Sequence, residues 1–524
     1  MPRKRRLTTT LAAALGSAAL LVSAACTTGG PEGSAAGGTA SGAGASASAA
    51  AAPDPELDRY YKQKLRWRQC GPPGFQCATM RVPLDYADPV PTEDLKIAVS
   101  RKPAAEGGKR IGSLLVNPGG PGGSAVGFLQ TVAGVSYPAP VRARYDMVAF
   151  DPRGVARSEP VRCLTDKGMD RYTRTDTTPD NKAEIDKLVA ASKTFAQGCK
   201  KHSGELLPHL STADAARDMD VLRALLGEEK LNYIGLSYGT LLGATYADLF
   251  PQRVGRLVLD GALDPTVDAL ETSRAQAKGF ERAFRAFAKD CVRNSTCPLG
   301  TGSVEEAGAR LDQFLKKLDS APLSTQDPAR KLDEPLATTG IMTAMYEDSY
   351  WPVLREALTS AMKGDGTALL RLSDLYYERD PSGSYSNLMY ANAAVNCLDL
   401  PPAAEDPQDV QRALPSFRKA SPRFGTMMAW SSLSCSAWPV EATGKTRPLR
   451  AKGAAPILVI GTTRDPATPY EWAEGLASQL ESGVLLTYDA DGHTAYTRGS
   501  DCVDTAVNLY LLEGQVPKDG KRCA

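Results

Sequence analysis

The chain has 524 residues, which is long for one compact domain and fits a domain that carries an insertion. Its 61 basic and 60 acidic residues leave a formal net charge of +1, and the two signs are interspersed. This balance argues against the strongly basic surface with which proteins bind nucleic acids or anionic membranes. We therefore expect a small or peptidic substrate, no nucleic-acid partner and a monomer.

The first 26 residues have the pattern of an export signal. A basic start is followed by an apolar run that is short for a membrane span, and small residues precede Cys26. The string "SAAC" resembles a bacterial lipobox, which predicts a signal peptide over 1–25 and a cell-surface lipoprotein whose only membrane contact is its lipid anchor on Cys26. Plain secretion after Ala25 is the alternative. Residues 26–52 are mostly Gly, Ala, Ser and Thr, which indicates a flexible tether.

The cysteine count supports export. The chain has eleven cysteines, and ten remain when Cys26 is set aside, so that five disulfides could form in an oxidising compartment. They fall into neighbouring pairs along the chain, although the sequence alone does not fix their connectivity: Cys70 with Cys77, Cys163 with Cys199, Cys291 with Cys297, Cys397 with Cys435, and Cys502 with Cys523. A metal site is disfavoured, because there is no Cys-x-x-Cys pair and only three histidines occur.

Short apolar runs alternate with helical patterns in the two ends of the globular chain. The runs are "LKIAVSR", "GSLLVN", "YDMVAFD", "LNYIGL", "GRLVLDG", "APILVIG" and "GVLLTYD". This alternation predicts a mostly parallel sheet flanked by helices. The interval 264–450 contains amphipathic helical patterns and no comparable series of strands. We therefore predict an α/β core formed by 53–263 and 451–524, with 264–450 inserted as a large, mainly helical lid.

The string "IGLSYGT" contains a Gly-x-Ser-x-Gly motif centred on Ser237. An apolar, β-prone run precedes the motif, and "TLLGATYADLF" follows it with helical spacing. A serine at such a strand-turn-helix junction is typical of the nucleophile of an α/β-hydrolase, and the flanking glycines leave room for a tight turn. An ordinary turn is the alternative. The motif therefore predicts Ser237 as a nucleophile, provided that a base and an acid accompany it.

A serine hydroxyl needs a base, and the base needs an orienting acid. His493 follows the last strand-like run, in "DADGHTAY", which agrees with the α/β-hydrolase order Ser, Asp, His. His202 and His209 precede the serine and are predicted to be structural or surface residues. Asp465 follows a buried run in "APILVIGTTRDPATP" and is the preferred acid, with Asp260 at the end of the preceding strand as its competitor.

An acyl-transfer enzyme also needs donors for the oxyanion. The backbone N–H of Tyr238, directly after the nucleophile, is the first candidate. The loop "NPGGPGGSA" follows an early strand and lets backbone amides approach a substrate closely, and Gly120 is our candidate for the second donor. A nucleotide-binding loop is the alternative, but the glycine spacing and the following Lys-Ser/Thr of such loops are absent.

With these motifs in order, the chain resembles the α/β-hydrolase peptidases related to prolyl iminopeptidase, and most closely the secreted bacterial tripeptidyl aminopeptidases. The resemblance spans most of the mature chain and depends on seven strings in order: "VPLDYADP", "NPGGPGGSA", "FDPRGVARSEP", "GLSYGT", "LDGALDP", "TTRDPATPYEWA" and "DGHTAY". It implies a serine exopeptidase that removes short peptides, foremost tripeptides, from free N-termini, with no metal or organic cofactor. Related iminopeptidases carry a histidine where this chain has Pro118.

An aminopeptidase must bind the substrate's ammonium group, and lid carboxylates are the simplest means. Glu347 and Asp348 in "MYEDSYWPVL", and Asp399 after Cys397, are the candidates, although each could equally be a solvated or capping residue. Three other functions stay open at this stage. A carboxylesterase or lipase-like hydrolase, or a single-residue aminopeptidase like prolyl iminopeptidase, would share the catalytic residues. A catalytically dead binding protein would have lost part of Ser237, Asp465 or His493, and all three are present.

Overall fold

The computed structural model describes residues 52–105 and 109–524. The predicted signal peptide, Cys26 and nearly all of the predicted tether lie outside these residues. Ten strands form one sheet within the described chain. They are β1 Arg68–Gln69, β2 Gln76–Pro83, β3 Asp94–Lys102, β4 Gly112–Asn117, β5 Tyr145–Phe150, β6 Leu231–Leu236, β7 Val254–Asp260, β8 Ile457–Arg464, β9 Gly483–Asp491 and β10 Lys521–Cys523.

The sheet has the order β1-β2-β3-β5-β4-β6-β7-β8-β9-β10. The pairs β1/β2, β2/β3 and β3/β5 are antiparallel, and every later pair is parallel. This is the mostly parallel α/β-hydrolase sheet that the sequence predicts. Ligands of such sheets bind at the carboxyl ends of the parallel strands, so the loops after β4, β6, β7, β8 and β9 are the ones to inspect.

The central strands are buried on both faces because helices cover both sides of the sheet. Along β7, Leu257 and Leu259 face one hydrophobic core, which also contains residues of the helices before and after β6. Val258 faces the opposite core, which also contains residues of the last helix of the chain. The alternation follows from the two-residue period of a strand. It explains why these strands read as continuous apolar runs rather than as alternating ones.

Eighteen α-helices lie in the described chain. They are α1 Asp58–Tyr61, α2 Ala125–Phe128, α3 Gly134–Ser136, α4 Ala139–Arg144, α5 Asp166–Tyr172, α6 Lys182–Ser203, α7 Thr212–Leu225, α8 Tyr238–Leu249, α9 Ala269–Cys291, α10 Val304–Ser320, α11 Glu334–Met345, α12 Trp351–Met362, α13 Thr367–Tyr376, α14 Leu388–Asp399, α15 Pro407–Ala420, α16 Gly425–Ser431, α17 Tyr470–Gln479 and α18 Asp501–Glu513. Local signals set several boundaries. Ser303 and Glu306 form a capping box at the start of α10, and Asp268 caps α9.

The helices α9 to α16 lie between β7 and β8 and have a hydrophobic core of their own. Phe284 is fully buried there, with ring centroids 6.3 Å from Phe287 and 6.5 Å from Phe424. In this interval the chain forms helices and isolated β-bridges, such as the one between Leu323 and Leu332. It contributes no strand to the sheet. We call α9 to α16 the lid. Its own core makes it a packed unit rather than a long loop.

A segment outside the lid also packs against it. The long helix α6 lies between β5 and β6 in sequence, yet its Leu188 shares a cluster with Val410, Phe417 and Trp430 of the lid. Nearby, Phe195 packs in a second cluster with Tyr390 of α14. The lid and α6 therefore pack together, although they come from two separate stretches of sequence.

The ten cysteines described by the structure form five disulfides, each between the neighbouring pair noted from the sequence: Cys70–Cys77, Cys163–Cys199, Cys291–Cys297, Cys397–Cys435 and Cys502–Cys523. Disulfides of this kind are typical of proteins exported to an oxidising compartment. Within residues 52–105 and 109–524, no helix is long and apolar enough to cross a membrane.

Candidate active site

Ser237 lies between β6 and α8 at a sharp turn. Its backbone has φ 55° and ψ −123°, a conformation that residues with side chains rarely adopt. A Cβ on Gly235 would lie 2.2 Å from the carbonyl oxygen of Gly239, so the turn needs glycine. The Ser237 N–H donates to the carbonyl oxygen of Asp260 on β7 at 2.9 Å. The turn therefore presents a partly exposed serine at the carboxyl edge of the sheet, as a nucleophile elbow does.

His493 and Asp465 meet after β9 and β8. His493 Nδ1 lies 2.8 Å from Asp465 Oδ2 and 3.0 Å from Oδ1. The carboxylate is fully buried and fixed: Oδ1 accepts from the N–H groups of Ala467 and Thr468, while Oδ2 accepts from the Thr468 hydroxyl and the Thr494 N–H. An imidazole whose Nδ1 proton is donated to this carboxylate leaves Nε2 to act as a base.

The electrostatics suit that arrangement. Burial by itself would lower the pKa of His493, but the charge and hydrogen bond of Asp465 outweigh it, and a smaller contribution comes from Asp260. The pKa of His493 is therefore raised above its ordinary value. An imidazole acts as a base only in its neutral form, which is lost as the pH falls through this raised pKa.

Ser237 and His493 both lie next to the end of β7. Gly261 follows Asp260, and a Cβ on Gly261 would lie 3.2 Å from His493 Cε1. In the described part of the chain, the Ser237 hydroxyl makes no hydrogen bond to the imidazole. Hydrogen bonds of this type are often long without substrate and shorten in the substrate complex. The structure thus joins His493 to Asp465 directly and places the Ser237 turn beside them through the end of β7.

The glycine loop after β4 packs directly on the elbow. A Cβ on Gly119 would lie 2.9 Å from Ser237 Cβ and 3.0 Å from the backbone nitrogen of Tyr238. The φ angles of Gly119 and Gly120 are 94° and 116°, which favour glycine strongly. The Gly119 N–H is already donated to Asn117 Oδ1, at 2.8 Å. Tyr238 begins α8, where backbone N–H groups have no acceptor within the helix. These contacts place Gly119 directly against Ser237, and Gly120 and Tyr238 stay the predicted oxyanion donors.

Two of the three predicted lid carboxylates lie at the histidine loop. The His493 N–H donates to the carbonyl oxygen of Tyr346 at 2.8 Å, and the two rings meet edge to face with centroids 5.7 Å apart. Arg498 donates to the His493 carbonyl oxygen at 2.6 Å. It also lies 3.7 Å from Glu347 Oε1 and 3.6 Å from Asp348 Oδ1, which are long ion pairs. Glu347 Oε2 also accepts from the Ser349 hydroxyl at 2.9 Å, so the carboxylates of Glu347 and Asp348 adjoin the histidine loop with long ion pairs to Arg498 and this one local hydrogen bond.

Asp399 has a different environment. It ends α14 and is half-buried, and its oxygens accept from the N–H and the hydroxyl of Thr212 at 2.9 and 2.5 Å. Thr212 begins α7, and its hydroxyl lies 2.6 Å from the Tyr238 hydroxyl. Burial raises the pKa of Asp399 to about 6. Both oxygens are therefore used to attach the lid to the sheet domain, which makes Asp399 a weaker candidate for binding an ammonium group.

Sequence reasoning did not find Tyr346 and Arg498, although both contact His493. Arg498 follows the histidine by five residues, so its proximity could have been noticed. Tyr346 is 147 residues away in the chain, and only the packing of the lid brings it to the imidazole. The fully buried Asp260 is near the triad but does not orient the ring; its carboxylate accepts instead from the N–H groups of Ala495 and Tyr496.

Comparison with known proteins identifies the family of the chain. A family model described as "TAP-like protein" matches residues 421–523. The chain is 37% identical over 488 residues to "Serine protease Hip1" of Mycobacterium tuberculosis, covering 88% of this chain and 91% of that protein. It is 41% identical over 455 residues to "Carboxylesterase B" of the same organism, covering 86% of each. It is 33% identical over 477 residues to "Tripeptidyl aminopeptidase" of Streptomyces lividans, covering 88% of this chain and 86% of that protein. The chain therefore belongs to the tripeptidyl-aminopeptidase-like family of α/β-hydrolases and is a serine hydrolase of the peptidase type.

Proposed function

We propose that this serine peptidase is an exopeptidase that removes short peptides, tripeptides foremost, from free N-termini. The observation that carries the proposal is the position of Glu347 and Asp348. These two carboxylates lie beside the loop of His493, where they are paired only loosely with Arg498. In this proposal a substrate ammonium group binds there, and a short N-terminal peptide extends from it to the scissile bond.

The proposed chemistry proceeds through an acyl-enzyme. Ser237 Oγ attacks the scissile carbonyl carbon while His493 Nε2 accepts its proton, and Asp465 stabilises the imidazolium that forms. The N–H groups of Gly120 and Tyr238 donate to the oxyanion. The imidazolium then protonates the leaving amine, which departs as the shortened peptide. Water, deprotonated by His493, hydrolyses the ester and releases the N-terminal peptide from Ser237.

The proposed ammonium site uses charge rather than a single strong contact. The side chains of Glu347 and Asp348 are 41% and 58% exposed, so each exposed pair with Arg498 contributes little by itself. A substrate that covers them would displace water, and the contact with its ammonium group would then strengthen. The family resemblance to tripeptidyl aminopeptidases supports the same assignment, because such an enzyme must distinguish a free N-terminus from a blocked one.

An esterase is the second candidate, since one relative with 41% identity is named carboxylesterase B. An esterase would use the same serine, histidine and aspartate but would gain nothing from carboxylates at the histidine loop. A single-residue aminopeptidase like prolyl iminopeptidase would use the carboxylates, but with a shorter distance to the scissile bond. The length of the released peptide therefore separates the aminopeptidases, and the charge of the N-terminus separates both from the esterase.

The test is hydrolysis of chromogenic amides with one to four residues before the leaving group, each prepared with a free and with an acetylated N-terminus. We expect the free tripeptidyl amide to have the highest kcat/KM. Acetylation should lower it by roughly 10- to 1,000-fold, because a charge-assisted contact is lost and the carboxylates stay unpaired. Equal cleavage of free and blocked substrates, with simple acyl esters faster than both, would replace the exopeptidase by an esterase.

A comparison of lid variants localises the ammonium site. Glu347→Gln and Asp348→Asn remove charge at the histidine loop, and we expect each to reduce the preference for the free N-terminus. Asp399→Asn is the matched lid carboxylate, which we expect to lower thermal stability and to leave the preference unchanged because both oxygens are engaged by Thr212. A preference that responds only to Asp399→Asn would move the ammonium site to that residue.

We also propose that the enzyme is held at the cell surface by a lipid on Cys26 and by the tether of 26–52. The lipobox-like string and the five disulfides support this location. Replacing Cys26 by Ala should release the enzyme from the membrane fraction with its activity intact. Wild-type enzyme found in the medium with an unlipidated N-terminus would favour plain secretion.

A further inference from the structure

Asp260 ends β7 between the two loops that carry the proposed nucleophile and base. Its side chain is fully buried. Its carbonyl oxygen accepts from the N–H of Ser237 at 2.9 Å, and the next residue, Gly261, is so close to His493 that a Cβ would lie 3.2 Å from Cε1. Burying a carboxylate costs free energy unless hydrogen bonds or a nearby opposite charge compensate for the lost water. The proposed mechanism gives it no role, since Asp465 orients the imidazole.

The Asp260 carboxylate holds the backbone of the histidine loop. Oδ2 accepts from the N–H of Ala495 at 3.1 Å and from the N–H of Tyr496 at 2.8 Å. Oδ1 has no hydrogen-bond partner among the residues that the structure describes. Both bonds thus converge on one oxygen, two and three residues after His493. The arrangement fixes the loop that carries the base, and it does so through a charged acceptor, which binds amides more strongly than a neutral one.

We propose that Asp260 is a positioning residue for His493, whose loop it fixes through the Ala495 and Tyr496 amides and beside which it places a second negative charge. The proposal deepens the proposed function, because it presupposes that His493 is the base. Asp260 would act on the reaction through the geometry and the basicity of the imidazole. It would not contact the substrate.

The charges around Asp260 support a role beyond packing. Burial raises the pKa of Asp260 to about 6, although its two amide bonds and the nearby His493 lower it, and the Asp465 charge adds to the rise. Tyr137 also faces Asp260, and burial together with that carboxylate raises the pKa of its hydroxyl. Burial and the charge of Arg498 lower the pKa of His493, whereas Asp465 and, to a smaller extent, Asp260 raise it. The charge of each of these two groups therefore affects the pKa of the other.

The direction of the pH effect follows from these shifts. Catalysis needs neutral His493, which is protonated as the pH falls through its raised pKa. Asp260 is protonated as the pH falls through about 6, which removes its charge but leaves a carbonyl oxygen that can accept from the same two amides. The two titrations are therefore coupled: protonation of Asp260 makes His493 less basic, so the log kcat/KM of the wild type should fall less steeply than the unit slope of a single group where both titrate.

Asp260→Asn separates charge from geometry. Because wild-type Asp260 uses only Oδ2, the single carbonyl oxygen of an asparagine can accept from both Ala495 and Tyr496, so the contacts are kept while the charge is removed and an NH2 group replaces Oδ1. Removing that charge should make His493 less basic. We expect the acid limb of kcat/KM to move to lower pH by roughly half to one unit and to approach unit slope. We expect kcat near neutral pH to fall roughly 3- to 10-fold, since a weaker base is a poorer catalyst, with KM unchanged.

Asp260→Ala removes the hydrogen bonds as well and should lower kcat roughly a hundredfold through misplacement of the imidazole. Glu334→Gln is the matched control. Glu334 is another buried carboxylate, with a pKa raised by burial to about 7, one hydrogen-bonded oxygen and a position at the far end of α11 from Tyr346. The acid limb of kcat/KM of the Glu334→Gln variant should coincide with that of the wild type. This control shows whether any buried carboxylate produces the shift.

The experiment measures pH profiles of kcat and kcat/KM for wild type, the two Asp260 variants and the control, with circular dichroism to establish folding. An Asp260→Asn limb with wild-type position and slope would overturn the positioning role, whether or not Asp260→Ala folds. A wild-type kcat in a folded Asp260→Ala protein would overturn it equally. Ser237→Ala, assayed in parallel, reports separately on the proposed function, because activity retained by that variant contradicts the triad itself.

Discussion

The sheet and the lid contribute to the site in different ways. Ser237, Asp465 and His493 each follow a parallel strand and are held by several backbone hydrogen bonds. The lid contributes Glu347 and Asp348, which are partly exposed and contact one arginine at long distances. The proposed catalytic groups are thus held mainly by the loops at the strand ends, and His493 is also held by the lid through its N–H bond to Tyr346. The groups proposed to select the substrate are held weakly, as suits side chains that a ligand must recruit.

The largest expected effect tests the sheet side of this comparison. Ser237→Ala should lower kcat on the order of a million-fold, because the acyl-enzyme can no longer form. Ser192→Ala is a matched control, since Ser192 is buried in α6 and its hydroxyl only donates to a backbone carbonyl. Rates and mass spectra of the intact protein with a slow substrate would be compared. A Ser237→Ala protein that still forms an acyl adduct would move the nucleophile elsewhere.

The second effect distinguishes the two buried carboxylates at strand ends. Asp465→Asn should lower kcat about ten-thousand-fold, because the imidazole loses the acceptor that fixes its tautomer. Asp260→Asn should cost far less, since it keeps the backbone contacts to the histidine loop. Steady-state kinetics at the pH optimum of each variant gives the ratio. The reverse ranking would assign the orienting acid to Asp260.

These two carboxylates also show what could be predicted from sequence. The strands that precede Ser237, Asp465 and His493 are continuous apolar runs, and the motif order follows the order of parallel strands, so the triad could be proposed from local patterns. The different contacts of Asp260 and Asp465 could not, since both follow buried strands in glycine- or proline-containing turns. Their separation depends on which loop reaches which carboxylate, and this is a tertiary property.

The helices of the lid could be predicted from the sequence, but the way in which they pack against each other and against the site could not. Amphipathic spacing indicates α9 or α12 without indicating which faces meet. The contact of Tyr346 with His493 joins segments that are far apart in the chain. The helix α6 packs with the lid although it precedes Ser237 in the sequence. For the same reason Asp399 looked equivalent to Glu347 and Asp348 in sequence, whereas its oxygens are taken up by Thr212.

A third prediction compares the two hydrophobic cores. Phe284 in the lid and Leu257 in the sheet are both fully buried, and truncating either to Ala should cost roughly 2–5 kcal/mol of unfolding free energy. Only Phe284→Ala should also reduce the preference for free over acetylated substrates, because it loosens the lid that carries Glu347 and Asp348. Denaturant unfolding and paired kinetics would test this. Equal loss of preference in both variants would mean that general destabilisation, and not the lid, is responsible.

The most direct test of N-terminus recognition by the lid removes charge from the enzyme, from the substrate, and from both. The kcat/KM of the free and the acetylated tripeptidyl amide would be measured for wild type and for the combined Glu347→Gln and Asp348→Asn variant. We predict that the variant loses roughly 10- to 100-fold on the free substrate and almost nothing on the acetylated one, a coupling of about 1.4–2.7 kcal/mol. Equal losses on both substrates, and hence no coupling, would contradict recognition of the N-terminus by the lid.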